Sequence, residues 1–342
     1  MFYGLKTAII KKALAKRKSE KQLEYKAAEE YKLPENADPV LNNCYYFSAH
    51  GADGESLYCR LGVRSCHSEV WFCYVKGAKR YVHNTLIYES NPPLKVSKRG
   101  VEWCISFDGE LEDEEGKTVP VSFDGSFVSD AQPIDFYLDM PDVRLAKSMA
   151  YEKWSRSFFA EVGEDKRVQY EQRGRLFGKI TVGGKESELN MPCVRDRSFG
   201  KQDWSSMNNH LRLIAVSKTG ELNFSMTSTQ KITILEVGNF ITEDSPMAYA
   251  LSAKYDRGLV ARGSAPSTLE LMLLLDNKRE IKVVVTKGYE SEYMFMDGEY
   301  TVYEAIAEFE IDGESYRGIM ELGFNREPSR WFNGRKTKEL KD

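Results

Sequence analysis

From Asn43 onward the chain changes period: runs rich in Tyr, Phe, Val, Cys and Trp alternate with polar residues every second position, between turns of Gly, Asp and Asn. A period of two places successive side chains on opposite faces of an extended backbone, so such runs are half-buried β-strands. The first set covers Cys44–Ala49, Leu57–Val63, Glu69–Val75, Tyr81–Ile87, Glu102–Glu110, Thr118–Phe123 and Ile134–Leu138. A second set runs through Gln169–Val182, Glu188–Cys193, Leu211–Ser217, Asn223–Ser228, Ile232–Val237, Ala248–Lys254, Thr268–Leu274, Ile281–Thr286, Val302–Ile311 and Tyr316–Phe324. Between them Pro141 and Asp142 open a helix whose rough apolar face is Leu145, Met149, Trp154 and Phe158, ending near Val162. The short spacing of the strands fits antiparallel meanders, so the fold class is mainly β.

The N-terminal segment obeys a different rule. Phe2, Leu5, Ile9 and Ala13 recur at helical spacing among Lys6, Lys11, Lys12, Lys16, Arg17 and Lys18, which predicts a basic amphipathic helix to about Tyr31, stopped by Pro34 and Pro39. It serves either as a peripheral membrane or partner contact, or as a solvated helix laid on the domain by its apolar stripe. Residues 1–32 hold nine basic and four acidic residues, whereas the whole chain carries a net charge of -4. The body is therefore acidic and repels phosphate backbones, which excludes nucleic acid as its partner.

Six cysteines and four histidines include neither CxxC nor HxxxH, so no metal is expected. With no secretory h-region, free thiols and a cytoplasmic location are expected. No GxxxxGK[ST] segment is present, and Gly183-Gly184 is a hairpin turn with no helix after it; no cofactor is expected. One internal echo stands out. Tyr170-Glu171, a strand, the turn Gly183-Gly184-Lys185 and a strand to Arg195 parallel Tyr303-Glu304, Asp312-Gly313-Glu314 and a strand to Arg326, with an indel of about four residues.

The densest polar run is Arg195-Asp196-Arg197-Ser198-Phe199-Gly200-Lys201-Gln202-Asp203-Trp204, with Tyr170-Glu171-Gln172-Arg173-Gly174 on a neighbouring strand. Two arginines flanking an aspartate invite paired hydrogen bonds, either in a ligand site or in a salt-bridge lock between the two halves. Such a network must be nearly complete if it is buried.

Tyr-Glu-Gln-x-Gly-x-Leu-x-Gly (Tyr170 to Gly178), Arg-Asp-Arg-Ser-Phe-Gly-x-x-Asp-Trp (Arg195 to Trp204) and Gly-Ile-x-Glu (Gly318 to Glu321) resemble the AttH and carotenoid 1,2-hydratase superfamily. The Arg-Leu-Gly-x-Arg strand (Arg60 to Arg64) and the Trp-x-Ile-x-Phe-x-Gly strand (Trp103 to Gly109) extend the resemblance over about Asn43 to Arg326. It implies two lipocalin-like antiparallel β-barrels packed together, divided here as 43–162 with the linking helix and 167–327, after an N-terminal helix over 1–33 and before a polar tail over 328–342. It also implies a barrel cavity for an isoprenoid, polyketide or lipid, and hydration, cyclisation or isomerisation chemistry without a cofactor.

Protonating an alkene needs a carboxylic acid and aromatic faces for the cation. Glu171 and Asp196 are the catalytic candidates, Glu171 as the proton-transfer group and Asp196 held between Arg195 and Arg197. Tyr170, Arg195, Arg197, Trp204 and Glu321 are the ligand-binding candidates. Hydratase-like relatives commonly carry His where this chain has Arg197, and a permanent cation donates no proton at neutral pH. That departure favours binding alone, or a cyclisation steered by shape. The alternative class is a non-enzymatic lipid carrier or a structural interaction module, and the oligomeric state is left open.

Overall fold

The computed structural model describes residues 3–21, 37–38, 41–83, 85–136, 139–164, 168–202, 204, 207–220, 223–230, 234–242, 245–260, 265–295 and 300–326. Over these residues the alternation resolves into nineteen strands and four helices. The first sheet holds β1 (Leu41–His50), β2 (Ser56–Val63), β3 (Ser68–Lys76), β4 (Lys79–Val82), β5 (Ile87–Tyr88), β6 (Leu94–Arg99), β7 (Glu102–Glu112), β8 (Thr118–Val128), β9 (Ile134–Asp135), β10 (Val168–Val182) and β11 (Lys185–Lys201). Its main path runs β11-β1-β2-β3-β4-β7-β8-β10, and β10 pairs back onto β11, so eight strands form a ring. The second sheet, β12 (Asn209–Ser217), β13 (Asn223–Gln230), β14 (Ile234–Thr242), β15 (Ser245–Tyr255), β16 (Thr268–Leu275), β17 (Glu280–Phe295), β18 (Tyr300–Ile311) and β19 (Glu314–Asn325), is a closed barrel in sequence order.

The double-barrel architecture expected from the sequence is thus present. Its internal boundary is not where the sequence placed it. β10 and β11, assigned above to the second barrel, complete the first one, because β11 pairs with β1 from Leu41↔Lys201 to Ala49↔Cys193. The chain passes to the second barrel between Lys201 and Asn209. The linking helix gives no strand, so a break there looks like a domain border although the first ring is still open at that point.

That helix is two: α2 (Asp142–Tyr151) and α3 (Arg156–Glu164), separated by Glu152 in extended conformation. The break is capped on both sides. The Trp154 indole Nε1 donates to the Met149 carbonyl at 3.0 Å, and the Phe158 amide donates to Ser155 Oγ at 3.1 Å, the first turn of a new helix.

α1 (Tyr3–Lys21) docks on this pair through Ile10 and Leu14, not through the expected stripe. Lys6 donates to the Glu152 carbonyl at 2.8 Å, and Lys18 reaches Asp142 at 2.7 Å. Leu5 and Ile9 are left 58% and 49% exposed, and Phe2 lies outside the described residues, as do the rest of the expected helix to Tyr31 and the tail after Arg326. Among the described residues no helix is long and apolar enough to cross a membrane.

Alternation decides where each core forms. Inward residues such as Phe47, Phe72, Phe107, Phe123 and Leu176 fill the first barrel, and Leu213, Phe224, Leu271, Val283 and Phe309 fill the second. The outward faces of β1, β2, β3 and β11 meet those of β12, β17, β18 and β19. Tyr46, Tyr58, Trp71 and Val194 pack there against Ile214, Tyr293, Tyr300 and Ile319. Trp71 stacks on Tyr293 with ring centroids 4.3 Å apart, and the hydroxyls of Tyr58 and Tyr293 lie 3.1 Å apart. The two barrels therefore share a seam in which both walls are sheet.

Each barrel ends in a long hairpin with a two-residue turn, β10–β11 at Gly183-Gly184 and β18–β19 at Asp312-Gly313. All four turn residues have positive φ (55°, 82°, 51° and 87°), the conformation a tight hairpin of matching twist requires. The echo in the sequence is thus a structural repeat. Across β19 and β12, Gly318 lies so close to its neighbour that an added Cβ would sit 1.8 Å from the Ile214 carbonyl oxygen. Gly318→Ala is expected to lower stability by about 3 kcal/mol or to block folding; an unchanged urea midpoint would contradict this tight inter-strand approach.

Candidate functional site

The residues singled out from the sequence lie on one wall of the first barrel, but the alternation of β10 and β11 sorts them onto its two faces. Leu189, Met191 and Cys193 point into the barrel, so Arg195 and Arg197 do too, whereas Val194 and Asp196 face the seam. On β10, Leu176 and Ile180 point inward, which puts Tyr170 and Gln172 inside and Glu171 on the seam. The expected Arg195–Asp196–Arg197 clamp is therefore not formed: neighbours along a strand point in opposite directions. Asp196 instead takes Arg212, from the other barrel, at 3.0 Å, and the amide of Gln169 at 2.8 Å.

Arg212 is the centre of the seam. It projects outward from β12, donates to Glu171 at 2.9 Å as well as to Asp196, and faces the ring of Tyr46 at 5.0 Å. All of these side chains are buried. Burial alone would favour the neutral guanidine, yet the charges of Asp196, Glu171 and Glu321 outweigh it and raise the proton affinity of Arg212 well above its ordinary value. Glu171 is pushed up by burial, with the Arg212 charge opposing.

The second barrel carries the counterpart. Glu171 lies opposite Asp196 across β10–β11, and Glu304 lies opposite Glu321 across β18–β19. Across the strand that closes each ring, Tyr46 pairs with Asp196 and Arg212 pairs with Glu321. These first-strand residues then exchange barrels: Arg212 reaches Glu171 and Asp196, and the Tyr46 hydroxyl donates to Glu304.

The two acid pairs differ in what surrounds them. Burial, with the neighbouring Glu321 charge, pushes Glu304 well above the carboxylate range. Burial also opposes ionisation of Glu321, but the hydrogen bond and charge of His210, with the charge of Arg212, overcome it and hold this carboxyl down to about 2. His210 Nε2 is 2.6 Å from Glu321, and its Nδ1 is 2.5 Å from the Tyr300 hydroxyl. Tyr300 donates to the Met207 sulfur at 3.1 Å and stacks on Trp204 with centroids 4.8 Å apart. A continuous chain thus runs Tyr46, Glu304, Glu321, His210, Tyr300, with an indole at its end.

Of the candidates from the sequence, Glu171, Asp196, Trp204 and Glu321 meet at the seam, while Tyr170, Arg195 and Arg197 belong to the interior of the first barrel. Glu304, His210 and Tyr300 join the seam without any local motif to announce them; the Tyr170-Glu171 and Tyr303-Glu304 echo is the one signal that points to Glu304. Among the described residues no three His, Cys, Asp or Glu side chains converge as a metal site.

The sequence matches the family described as a domain of unknown function, DUF7064, over residues 26–326. The chain belongs to the DUF7064 family. No curated protein matches its sequence. In three dimensions this DUF7064 protein is similar to an AttH-type protein of Nitrosomonas europaea, with 10% identity, a TM-score of 0.50, and coverage of 82% of this chain and 92% of the other. CghA in complex with Sch210972 is similar at 8% identity and a TM-score of 0.50, covering 86% and 90%. Kievitone hydratase of Nectria haematococca superposes with 12% identity and a TM-score of 0.48, over 85% and 90%. At these identities the likeness shows the fold, and in the fold the AttH-type resemblance of the sequence holds.

Arg212 neutralises two carboxylates that have left water, so its removal should be costly. Arg212→Ala is expected to destabilise the DUF7064 chain by about 3–5 kcal/mol; a change below about 1 kcal/mol in chemical denaturation would contradict a closed seam.

The acid pair also makes stability depend on pH in two directions. Glu321, depressed in the folded chain, contributes stability that is lost as pH falls from about 4.5 towards about 2. Glu304, raised in the folded chain, contributes most below its unfolded value and loses that contribution as pH rises. Glu304→Gln cannot ionise in either state, so it should gain stability relative to wild type as pH rises above about 4.5. Parallel stability curves over that range would show that Glu304 is ionised in the fold.

Proposed function

We propose that the chain binds a hydrophobic small molecule against the seam between its barrels and transforms it by cofactor-independent acid–base chemistry, with Glu304 as the proton donor. The observation that carries this reading is the buried pair of Glu304 and Glu321 a strand apart, the first carboxyl pushed up by burial and the second held down by His210. Two carboxyls whose surroundings drive their proton affinities apart are suited to act as acid and base in one site.

The neighbouring groups fit protonation of an electron-rich carbon–carbon double bond. Proton transfer from Glu304 leaves positive charge on the substrate and negative charge on the carboxyl. Trp204 and Tyr300 present ring faces that stabilise a developing cation, and Arg212 stabilises the negative charge left in the seam. Capture of the cation by water, with proton loss from the resulting oxonium back to the Glu304 carboxylate, gives hydration; capture by a second double bond of the same molecule, followed by proton loss to the carboxylate, gives cyclisation. A small molecule bound to a protein of the same fold, Sch210972 in CghA, supports a small-molecule ligand here.

Glu171 occupies the equivalent position in the first barrel, but Arg212 lies 2.9 Å from it and stabilises its carboxylate form. The proton-transfer role expected for Glu171 therefore passes to its repeat partner, and Glu171 holds Arg212 in place.

The test is turnover of isoprenoid and polyketide alkenes by wild type and Glu304→Gln, alongside melting curves. Glu304→Gln is expected to lower kcat at least about a hundredfold with its melting temperature equal or higher. Full activity in the variant would contradict the proposed role of Glu304. A collapse of folding would assign Glu304 to the architecture and favour a carrier or structural protein.

A further inference from the structure

The helical layer of α1, α2 and α3 lies outside both barrels, and α1 is set on it in an unusual way. Lys6, Ile10, Leu14 and Lys18, four residues apart, form the docked side. Lys6 donates to the Ala150 carbonyl at 3.3 Å and to the Glu152 carbonyl at 2.8 Å. Lys18 donates to the Met140 carbonyl at 2.8 Å besides its ion pair with Asp142. Two lysines therefore face the body, where an amphipathic helix ordinarily places apolar side chains alone.

The opposite side is reversed in the same sense. Leu5, Ile9, Lys12 and Lys16 follow at intervals of four, three and four residues, so they make one stripe, and all four are exposed. Among the described residues nine large apolar or aromatic side chains are exposed, and five of them (Tyr3, Leu5, Ile9, Tyr151 and Phe159) belong to these three helices. The other four are scattered over the barrels. Tyr3 packs on Tyr151 with ring centroids 4.4 Å apart, and Trp154 meets Phe159 edge-on at 5.2 Å with Lys6 Nζ 4.8 Å over its ring. These contacts gather the aromatic rings at the end of α1 that carries Leu5.

Charge is concentrated here as well. α1 holds seven basic residues and one acidic residue in a chain whose net charge is -4. A cationic stripe alone would suit any polyanion. Aliphatic and aromatic side chains beside it select a surface that is anionic outside and hydrocarbon beneath, which is a bilayer with acidic headgroups. Lysine stems lie along apolar surface while their ammonium groups stay at headgroup level, where tyrosine and tryptophan rings also settle. The acidic body is repelled by the same headgroups, so charge turns α1 towards the membrane.

We propose that the outward stripe of α1, with the aromatic rings at its N-terminal end, is a peripheral docking surface for membranes containing anionic lipid. The helix lies in the plane of the interface, with Leu5 and Ile9 below the headgroups and Lys12 and Lys16 against their phosphates. This surface lies apart from the seam and stands whether or not the seam performs chemistry.

The test is co-sedimentation of the full-length chain with vesicles of phosphatidylcholine alone and of phosphatidylcholine with phosphatidylserine. Wild type is expected to bind the anionic vesicles at least about tenfold more tightly than the neutral ones. Lys12→Gln/Lys16→Gln should weaken binding to the anionic vesicles about tenfold. Leu5→Gln/Ile9→Gln should weaken it about tenfold as well, with an unchanged melting temperature, because both side chains are exposed in the fold. Absence of binding to anionic vesicles would overturn the proposal. Undiminished binding by Leu5→Gln/Ile9→Gln would also overturn it, since the surface would then be one for polyanions such as nucleic acid. Unfolding of that variant would overturn it too, by showing that the stripe is packed within the chain. Binding is measured without turnover, so an inactive seam leaves the result untouched.

Discussion

The buried guanidinium of Arg212 is the interaction on which the rest of the structure turns. It starts on the first strand of the second barrel and ends against Glu171 and Asp196 on the last hairpin of the first. Without it, two carboxylates would face each other in a seam from which water has been removed, and the outward faces of the sheets could not close. With it, each acid of the first pair has a cation beside it. In the second barrel Glu321 lies against His210, and Glu304 accepts from the Tyr46 hydroxyl, with the charge of Arg212 acting on both from further away. The two pairs therefore stand in different surroundings, although both arise from the same duplicated hairpin.

This asymmetry gives the repeat a physical meaning. In each barrel the residue on the first strand lies opposite the hairpin acid beside it, and then reaches across to the other barrel. In one direction that residue is Arg212, which brings a positive charge to Glu171 and Asp196. In the other it is Tyr46, itself pushed well above its ordinary proton affinity by burial and by Glu304. A tyrosine donates one hydrogen bond and no charge, so it satisfies a neutral acid without forcing it to ionise. The choice of Arg or Tyr at equivalent positions sets which acid pair faces a charge and which a hydroxyl.

Much of the fold was legible because strands write a period of two into the sequence. The strand runs, the hairpin at Gly183-Gly184 and the repeat at Asp312-Gly313 all follow from local rules. The boundary between barrels did not, because ring closure is a long-range pairing: nothing near Cys193 states that its partner strand begins at Leu41. The polar segment Arg195 to Trp204 was the correct segment, yet it looked like one cluster where the structure divides it between two faces. Leu189, Met191 and Cys193 already carry the parity that sends Arg195 and Arg197 inward and Asp196 outward, so the sorting was present in the sequence once the strand was extended. His210 and Tyr300 are ninety residues apart and meet only through the closure of β12 on β19 and of β19 on β18. No local pattern encodes such a meeting.

The central claim is that the seam holds a carboxylic acid that is still protonated at neutral pH. Infrared spectroscopy reads this directly, because the carbonyl stretch of a protonated carboxyl is separate from that of a carboxylate. The wild-type minus Glu304→Gln difference spectrum at neutral pH should show a protonated-carboxyl band with no matching loss of carboxylate. A difference spectrum showing loss of a carboxylate instead would mean that Glu304 is ionised, and the account of the seam as an acid–base pair would fail.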